Sequence, residues 1–477
     1  MSDRGFSHRI AFGVWINDIR NQPLARENWP AVTLDGRTAA DFESTVRLLK
    51  QAGYTALDVF GLLTNHDWPV HIETVIGPAR RKRVERLLAA ARRHGLPVIY
   101  GLGVYSWGFD AIIRHDPQVR GTNPSAMCGS RQESREWMRR VVDFVAGNFQ
   151  VDGFHLEAAD QGRCQCADCG RETALEYYSR LNRETAEYLR ERYPDKLLLV
   201  NTSGYLPWGD FVSPQHYPTL HTLGKTIDVL IDGGNHGLFI HPDLRREFIA
   251  GFPAQYGTSG GFWIYPPQRW DRLRWFLPYT RSTAAHLKSL HADGSRACEL
   301  YLGPLANPST EMNVFCNGRL ATEVSREPAE VLAEGIELLY RPKAETDNTR
   351  LRDIFLGAER AFFEAWSPRR NWGLPARYTD GIEPLFEWSK EHPERAVPGE
   401  LFLEPLLGSA PGFPSYLAVH LNRAGRGRYR AALRELQAAV SGLGSRFRDA
   451  GRIRRIHRSL GQVLRDLDAV DAVKELP

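Results

Sequence analysis

Eight short apolar runs, separated by helical patterns, constrain the fold of this chain more than any other feature. The runs span residues 10–15, 56–60, 97–104, 153–157, 197–201, 227–232, 261–265 and 297–302. Helical patterns lie between most of them, for example at 41–52, 79–94, 134–148 and 174–193. Strands that alternate with helices are typical of parallel sheets, and eight of them predict an α/β fold, a (β/α)8 TIM barrel. An open doubly wound sheet is the alternative, although no G-x-G-x-x-G turn follows the first strand.

After about residue 320 the strand patterns stop. Residues 328–340, 349–366 and 429–443 have apolar positions with a period near 3.6, which predicts helices. Residues 373–414 are rich in proline and glycine. We therefore expect a catalytic barrel over residues 1–320 and a mainly helical C-terminal domain over residues 321–477.

Composition and charge exclude several classes of partner. Hydrophobic residues make up 42% of the 477 residues and charged residues 25%, as in ordinary soluble proteins. The net charge of +4 is small and the arginine clusters fall in helical patterns, so no nucleic-acid partner is expected. The sequence has no apolar run of 18 residues and no apolar leader, so we expect no membrane partner and a cytoplasmic location. A homo-oligomer is compatible with these features, and no motif predicts an organic cofactor.

Carboxylates at predicted strand ends are the candidate catalytic groups. In a barrel these groups lie at the C-terminal ends of the strands. Alternation along 153–157 directs His155 and Glu157 inward, and along 297–302 it directs Glu299 and Tyr301 the same way. The predicted catalytic residues are Glu157, Asp160, Glu299 and Asp232. The alternative is that these are structural acids, bonded to helix N-termini or to arginines.

Aromatic and amide side chains at the same strand ends suit a sugar ligand. Aromatic faces pack on the apolar faces of sugar rings, and polar groups bind the hydroxyls. The predicted substrate-binding residues are Trp15, Asn17, Tyr105, Trp107, His155, Asn201, His216, Tyr217, Asn235, Trp263, Tyr265 and Tyr301. Ordinary core packing is the alternative for each of them.

Three cysteines follow the fourth predicted strand with C-x-C-x-x-C spacing. They are Cys164, Cys166 and Cys169. Structural zinc takes four ligands, so we expect Cys128 or a histidine to complete a closed site. Three reduced thiols in a turn are the alternative. A catalytic zinc is not expected, because the chain has no H-E-x-x-H motif.

The residues of the fourth strand carry a family resemblance. The run Asp-Gly-Phe-His-Leu-Glu-Ala-Ala-Asp at 152–160 resembles the fourth-strand motif of barrel glycoside hydrolases, including the β-hexosaminidase and α-glucuronidase groups. The cysteine-rich continuation to residue 169 and the segment 312–321 are similar to bacterial relatives of those enzymes. The resemblance covers roughly residues 10–340. The chain departs from the pattern in two ways: Glu157 and Asp160 are not adjacent, and the run predicted as strand seven has no carboxylate.

The resemblance and the acids together predict a glycoside hydrolase acting on a carbohydrate. Glu157 or Asp160 would protonate the leaving oxygen. Its partner would be the other of these two, or Asp232 or Glu299. This partner would activate water in an inverting reaction, or orient a substrate acetamide in a substrate-assisted one. The alternatives are another sugar-processing barrel enzyme (a lyase, an epimerase or a metal-dependent hydrolase) and a non-catalytic carbohydrate-binding barrel.

Overall fold

A closed parallel barrel is the main architecture. The computed structural model of the protein describes residues 4–15, 34–63, 68–158, 161–202, 204–206, 212–232, 242–259, 276–365, 417 and 421–472. Its strands are β1 (His8–Trp15), β2 (Ala56–Phe60), β3 (Val98–Gly103), β4 (Gly153–Glu157), β5 (Leu197–Asn201), β6 (Val229–Asp232), β7 (Gln255–Ser259) and β8 (Ala297–Tyr301). Each strand pairs in parallel with the next, and β1 pairs with β8 to close the barrel. The predicted (β/α)8 fold is confirmed.

Helices follow the strands around the outside of the barrel and continue after it. They are α1 (Gly36–Ala52), α2 (Pro78–Arg93), α3 (Asp110–His115), α4 (Gln132–Asn148), α5 (Ala174–Arg192), α6 (Tyr217–Gly224), α7 (Pro242–Gly251), α8 (Thr280–Ala292), α9 (Pro308–Thr322), α10 (Pro328–Tyr340), α11 (Glu345–Ala365), α12 (Arg423–Ser441) and α13 (Ala450–Asp471). Their starts carry ordinary capping chemistry. The Asp35 side chain accepts from the Thr38 N–H before α1, and Thr173 and Glu176 form a capping box at α5.

Both faces of the barrel strands are apolar, and they belong to different clusters. Inward side chains on six strands form a small cluster inside the barrel: Ile10, Ala56, Ile99, Leu199, Val229, Ile231 and Ala297. Outward side chains such as Leu102, Phe154 and Leu300 join the main core beneath the helices. The barrel is therefore filled by side chains, and polar groups on its inner face are buried unless they lie near a strand end.

Strand seven lies earlier in the chain than the sequence predicts. The structure has β7 at Gln255–Ser259, whereas the prediction at 261–265 was wrong. The run Gln-Tyr-Gly-Thr-Ser has one large apolar side chain, so its composition predicts a strand only weakly. The aromatic run at 261–265 has the composition that is typical of a strand. Residues 261–265 lie outside the described residues. The observed β7, Gln-Tyr-Gly-Thr-Ser, has no carboxylate of its own.

The helices after the barrel pack on it through buried polar contacts. Glu359 on α11 accepts hydrogen bonds from the backbone N–H groups of Arg281 and Ser282, at 3.1 and 2.9 Å, in the first turn of α8. Arg452 on α13 donates to both carboxylate oxygens of Glu311 on α9, at 3.0 and 2.7 Å. The proline- and glycine-rich segment 373–414 lies outside the described residues. None of the helices in the described ranges has the length and apolar character that a bilayer span requires.

Candidate active site

Three polar side chains meet inside the barrel in a fully buried cluster. Asp58 on β2, His155 on β4 and Glu299 on β8 are each 0% exposed, and we call them the polar cluster. His155 Nδ1 lies 2.5 Å from Asp58 Oδ2 and 3.8 Å from Glu299 Oε1. All three side chains share the inner face with the apolar cluster, because they alternate with outward residues along their strands. The predicted inward directions of His155 and Glu299 are therefore confirmed.

The charge state of the polar cluster follows from its composition. Burial alone lowers the pKa of His155, but the Asp58 charge and hydrogen bond, with the Glu299 and Glu157 charges, outweigh burial and raise that pKa to about 9. His155 is therefore an imidazolium at neutral pH. A buried charge is tolerated when opposite charges and hydrogen bonds accompany it, as they do here.

Aromatic side chains pack over the polar cluster on the side of the strand ends. Phe12 and Phe60 place their ring centroids 5.6 and 5.1 Å from the His155 ring. Tyr301 packs on Phe12 at 5.4 Å, and Trp107 packs on Phe60 at 5.0 Å. We call Phe12, Phe60, Trp107 and Tyr301 the aromatic layer. Trp107 and Tyr301 are half-buried, so they are the members that reach toward solvent.

A glycine makes room for this layer. Gly101 lies on the inner face of β3, in register with His155. A Cβ at Gly101 would lie 2.1 Å from an atom of the Phe60 ring. A larger residue there would displace the ring that separates the polar cluster from the strand ends.

Glu157 and Asn201 lie at the C-terminal ends of two neighbouring strands. Glu157 is the last residue of β4 and is 9% exposed, and Asn201 is the last residue of β5 and is 2% exposed. Both have the parity of inward residues on their strands. The Glu157 charge contributes to the raised pKa of His155, so the two side chains are within electrostatic reach. The structure thus places Glu157, His155, Asn201 and Glu299 on the inner face of the barrel, and Trp107 and Tyr301 in the aromatic layer that packs over the polar cluster.

Asp232 is not part of this arrangement. The inward residues of β6 are Val229 and Ile231, so Asp232 faces the helices, where the Tyr256 hydroxyl donates to its Oδ2 at 2.5 Å. Burial raises the pKa of Asp232 to about 7, although the Tyr256 hydrogen bond and the Arg245 charge oppose the rise. The expectation that Asp232 shares a pocket with Glu157 and Glu299 is corrected by its outward direction.

Three predicted ligand-binding residues lie elsewhere. Tyr105 is 2% exposed in the main core, and its N–H points to Met138 Sδ at 3.4 Å. His216 Nδ1 accepts from the Ser213 N–H at 3.0 Å, at the start of α6. Tyr217 packs its ring on Phe248 of α7 at 5.2 Å. Their rings serve packing and capping between the barrel and its helices.

Six predicted site residues have side chains outside the described part of the chain. Asp160, Asn17, Asn235, Trp263 and Tyr265 lie outside the described residues, and so does the side chain of Trp15. Their assigned roles stay predictions. Asp160 follows Glu157, the last residue of β4, by three residues in the sequence.

Asp58, Phe12 and Phe60 belong to the site but were not predicted from the sequence. Asp58 stands in the run Ala-Leu-Asp-Val-Phe at 56–60, where an acid interrupts an otherwise apolar strand. Burying a carboxylate in such a strand costs free energy unless the carboxylate is paired or has a function. The acid within the apolar run was therefore the feature of the sequence that could have indicated Asp58.

The four cysteines that were predicted to bind metal come together. Their Sγ atoms all lie within 4.8 Å of one another, and we call Cys128, Cys164, Cys166 and Cys169 the cysteine cluster. Cys128 lies in the loop between α3 and α4, and the other three lie in the loop after β4. Cys164, the first cysteine of the second loop, follows Asp160 by four residues in the sequence.

The fold is also found in a known enzyme structure. A GH138 enzyme that targets the pectin rhamnogalacturonan II is 11% identical to the chain with a TM-score of 0.57, and the match covers 97% of this chain and 71% of that one. The two proteins share a fold. A variant of the O-GlcNAc hydrolase of Thermobaculum terrenum is 11% identical with a TM-score of 0.48, over 98% of this chain and 97% of that one. No protein-family model and no curated protein sequence matches the chain.

Proposed function

We propose that the protein is a glycoside hydrolase in which Glu157 is the general acid. The observation that carries this proposal is the position of Glu157, which is the last residue of β4, has the parity of the inward residues and is close enough to His155 for its charge to raise the pKa of that residue. A carboxyl group beside aromatic rings at the C-terminal end of a barrel strand is what protonation of a glycosidic oxygen needs. The rings would pack on the sugar, and Asn201 would bind a hydroxyl.

The second carboxylate is assigned to Asp160. Glu299 and Asp58 are 0% exposed beneath the aromatic layer, so neither fits the role of a group that touches substrate. Asp232 faces the helices. Asp160 is the remaining predicted acid, and in this proposal it activates water in an inverting reaction or orients a substrate acetamide. The polar cluster then acts as a positioning group that holds charge beneath Glu157.

The first experiment is a substrate screen followed by two carboxylate variants. The panel contains nitrophenyl glycosides and oligosaccharides, including fragments of rhamnogalacturonan II, because the GH138 enzyme acts on that pectin. On any cleaved glycoside, Glu157→Gln should lower kcat by roughly 10²–10⁴-fold, since proton transfer is lost. The loss should be smaller on substrates whose leaving group needs no proton. Asp160→Asn should lower kcat on both kinds of substrate.

The matched control is Glu191→Gln on the exposed end of α5, which should keep wild-type kcat. If Glu157→Gln and Asp160→Asn each keep near wild-type turnover, the proposal is wrong. The anomer of the first product, followed by NMR, distinguishes inversion from retention.

A metal-dependent barrel enzyme is the second candidate, and one observation favours it. One oxygen or nitrogen atom from each of Asp58, His155 and Glu299 lies within 4.8 Å of the others, as ligands of one ion would. His155 Nδ1 is the ring nitrogen that faces both carboxylates, at 2.5 Å from Asp58 Oδ2 and 3.8 Å from Glu299 Oε1, so it is the atom that an ion would use once its proton is lost. Turnover that is lost on chelation and restored by Mg²⁺ or Mn²⁺ would favour this candidate over an acid–base glycosidase.

A further inference from the structure

We propose that the cysteine cluster binds one structural zinc ion, which joins the loop between α3 and α4 to the loop after β4. The four residues come from two separate segments, Cys128 from one and Cys164, Cys166 and Cys169 from the other. None of the four is in a disulfide. The site does not depend on the proposed hydrolase activity.

The distances between sulfur atoms match a tetrahedral metal site. Cys128 Sγ lies 3.8 Å from Cys166 Sγ and 3.7 Å from Cys169 Sγ. Zinc–sulfur bonds of about 2.3 Å in a tetrahedron place the sulfurs about 3.8 Å apart. A disulfide would bring one pair to about 2.05 Å and leave the other two thiols outside it. The spacing of four sulfurs around one point therefore favours a metal over a bridge.

The surroundings of the sulfurs are those of a built site. Cys128, Cys164 and Cys169 are each at most 1% exposed. Ser130 Oγ lies 3.1 Å from Cys128 Sγ, and Thr122 Oγ1 donates to Cys164 Sγ at 3.7 Å. Hydroxyl groups at these positions stabilise thiolates, because they donate hydrogen bonds to the ligand atoms.

A glycine permits the close approach of the two segments. A Cβ at Gly121 would lie 2.3 Å from Cys164 Sγ, so no larger residue fits there without displacing the sulfur. Four sulfurs also close the coordination shell and leave no position for water, which makes the ion structural rather than catalytic.

Hydrogen bonds connect the joined loops to the aromatic layer. Asn123 Nδ2 donates to the carbonyl oxygen of Gln161 at 2.9 Å, and Gln161 Oε1 accepts from the Trp107 N–H at 3.1 Å. Trp107 has a left-handed φ of 39°, a conformation that a non-glycine residue holds only when its surroundings fix it. The ion thus fixes the loop whose Gln161 holds Trp107 in place.

The metal content of the full chain, purified without added metal, is the first test. Plasma mass spectrometry should find about one zinc per chain, and X-ray absorption at the zinc edge should give four sulfur neighbours at about 2.3 Å. Absence of near-stoichiometric metal would overturn the proposal, as would iron in place of zinc or a shell of nitrogen and oxygen neighbours. These measurements use the wild-type protein, so they do not depend on a variant that folds.

A pair of variants tests the joining of the loops. Cys128→Ser should lose most of the zinc, whereas Cys316→Ser, at a buried cysteine of α9 outside the cluster, should keep it. Trypsin should then cleave after the half-buried Arg163 in Cys128→Ser at least ten times faster than in Cys316→Ser. Equal zinc content or equal cleavage in the two variants would contradict the proposed link. Neither readout involves a glycoside, so failure of the hydrolase proposal would leave both results interpretable.

Discussion

His155 is the residue whose chemistry depends most on its neighbours. It is fully buried, with Asp58 and Glu299 on one side and two phenylalanine rings on the other. Water cannot compensate its charge, so the charge depends on the two carboxylates. The same residue in an apolar pocket would be neutral. Asp58, which was not among the predicted site residues, is thereby the main cause of the charge on His155, which was.

This dependence gives a pH prediction. The folded pKa of His155, about 9, lies above its ordinary value of 6.5. The resulting stabilisation is therefore complete below about pH 6.5 and is lost as the pH rises through 9. In Asp58→Asn the main cause of the rise is removed while burial remains, so this pH dependence should disappear.

Urea unfolding at a series of pH values measures the effect. Between pH 6.5 and 9 the free energy of unfolding of the wild type should fall, relative to Asp58→Asn, by up to about 1.4 kcal/mol per pH unit. The exposed Asp195→Asn serves as the matched control and should follow the wild type. Parallel curves for wild type and Asp58→Asn would contradict the assignment of an imidazolium.

At the scale of the strand, apolar character predicts where strands lie but not always which way they face. Seven of the eight strand positions were found from apolar runs, and β4 and β8 also had the predicted faces. Barrel strands are apolar on both sides, since one side packs inside the barrel and the other under helices. For β6 the alternation therefore fits either direction, and only the structure shows that Val229 and Ile231 face inward. Strand β7 was missed because its small residues rely on neighbouring strands for burial.

The face of β6 leads to a prediction for Asp232. Asp232→Asn should keep kcat within about twofold of the wild type, because the side chain bonds to Tyr256 on the helix side. The folded pKa of Asp232, about 7, is above its ordinary value of 3.8, so its contribution to stability is lost as the pH rises between these values. Asparagine does not ionise, so the stability of Asp232→Asn does not fall with pH for this reason. The variant should therefore gain stability relative to the wild type on going from pH 4 to pH 8, as measured by urea unfolding. A fall in kcat as large as that of Glu157→Gln would instead give Asp232 a catalytic role.

At the scale of the whole molecule, a helix that follows the barrel supplies hydrogen-bond acceptors for the first turn of a barrel helix. Glu359 on α11 accepts from two N–H groups in the first turn of α8, groups that have no partner within their helix. The helical pattern of α11 was readable from the sequence, since apolar positions recur with the right period. The position at which α11 packs on the barrel was not readable from the sequence. Ser282 and Glu359 are 77 residues apart, and a contact between such distant residues produces no pattern in either helix.

Removal of this contact should destabilise the protein. Glu359→Ala leaves buried N–H groups without an acceptor, so the free energy of unfolding should fall by about 1–3 kcal/mol. Glu359→Gln keeps one oxygen acceptor and should lose less. Denaturant unfolding checks both, with the exposed Glu337→Ala on α10 as the control. Equal stability of Glu359→Ala and Glu337→Ala would show that the contact contributes nothing.

The aromatic layer has a kinetic consequence for the cluster beneath it. Phe12 and Phe60 pack directly on the His155 ring, and all three members of the polar cluster are fully buried. Among the described residues these rings cover the imidazolium, so exchange of its protons with bulk water requires motion of the rings. After a rapid change of pH, the charge inside the barrel would lag behind the solution, on the timescale of aromatic ring motion in a packed core rather than that of diffusion.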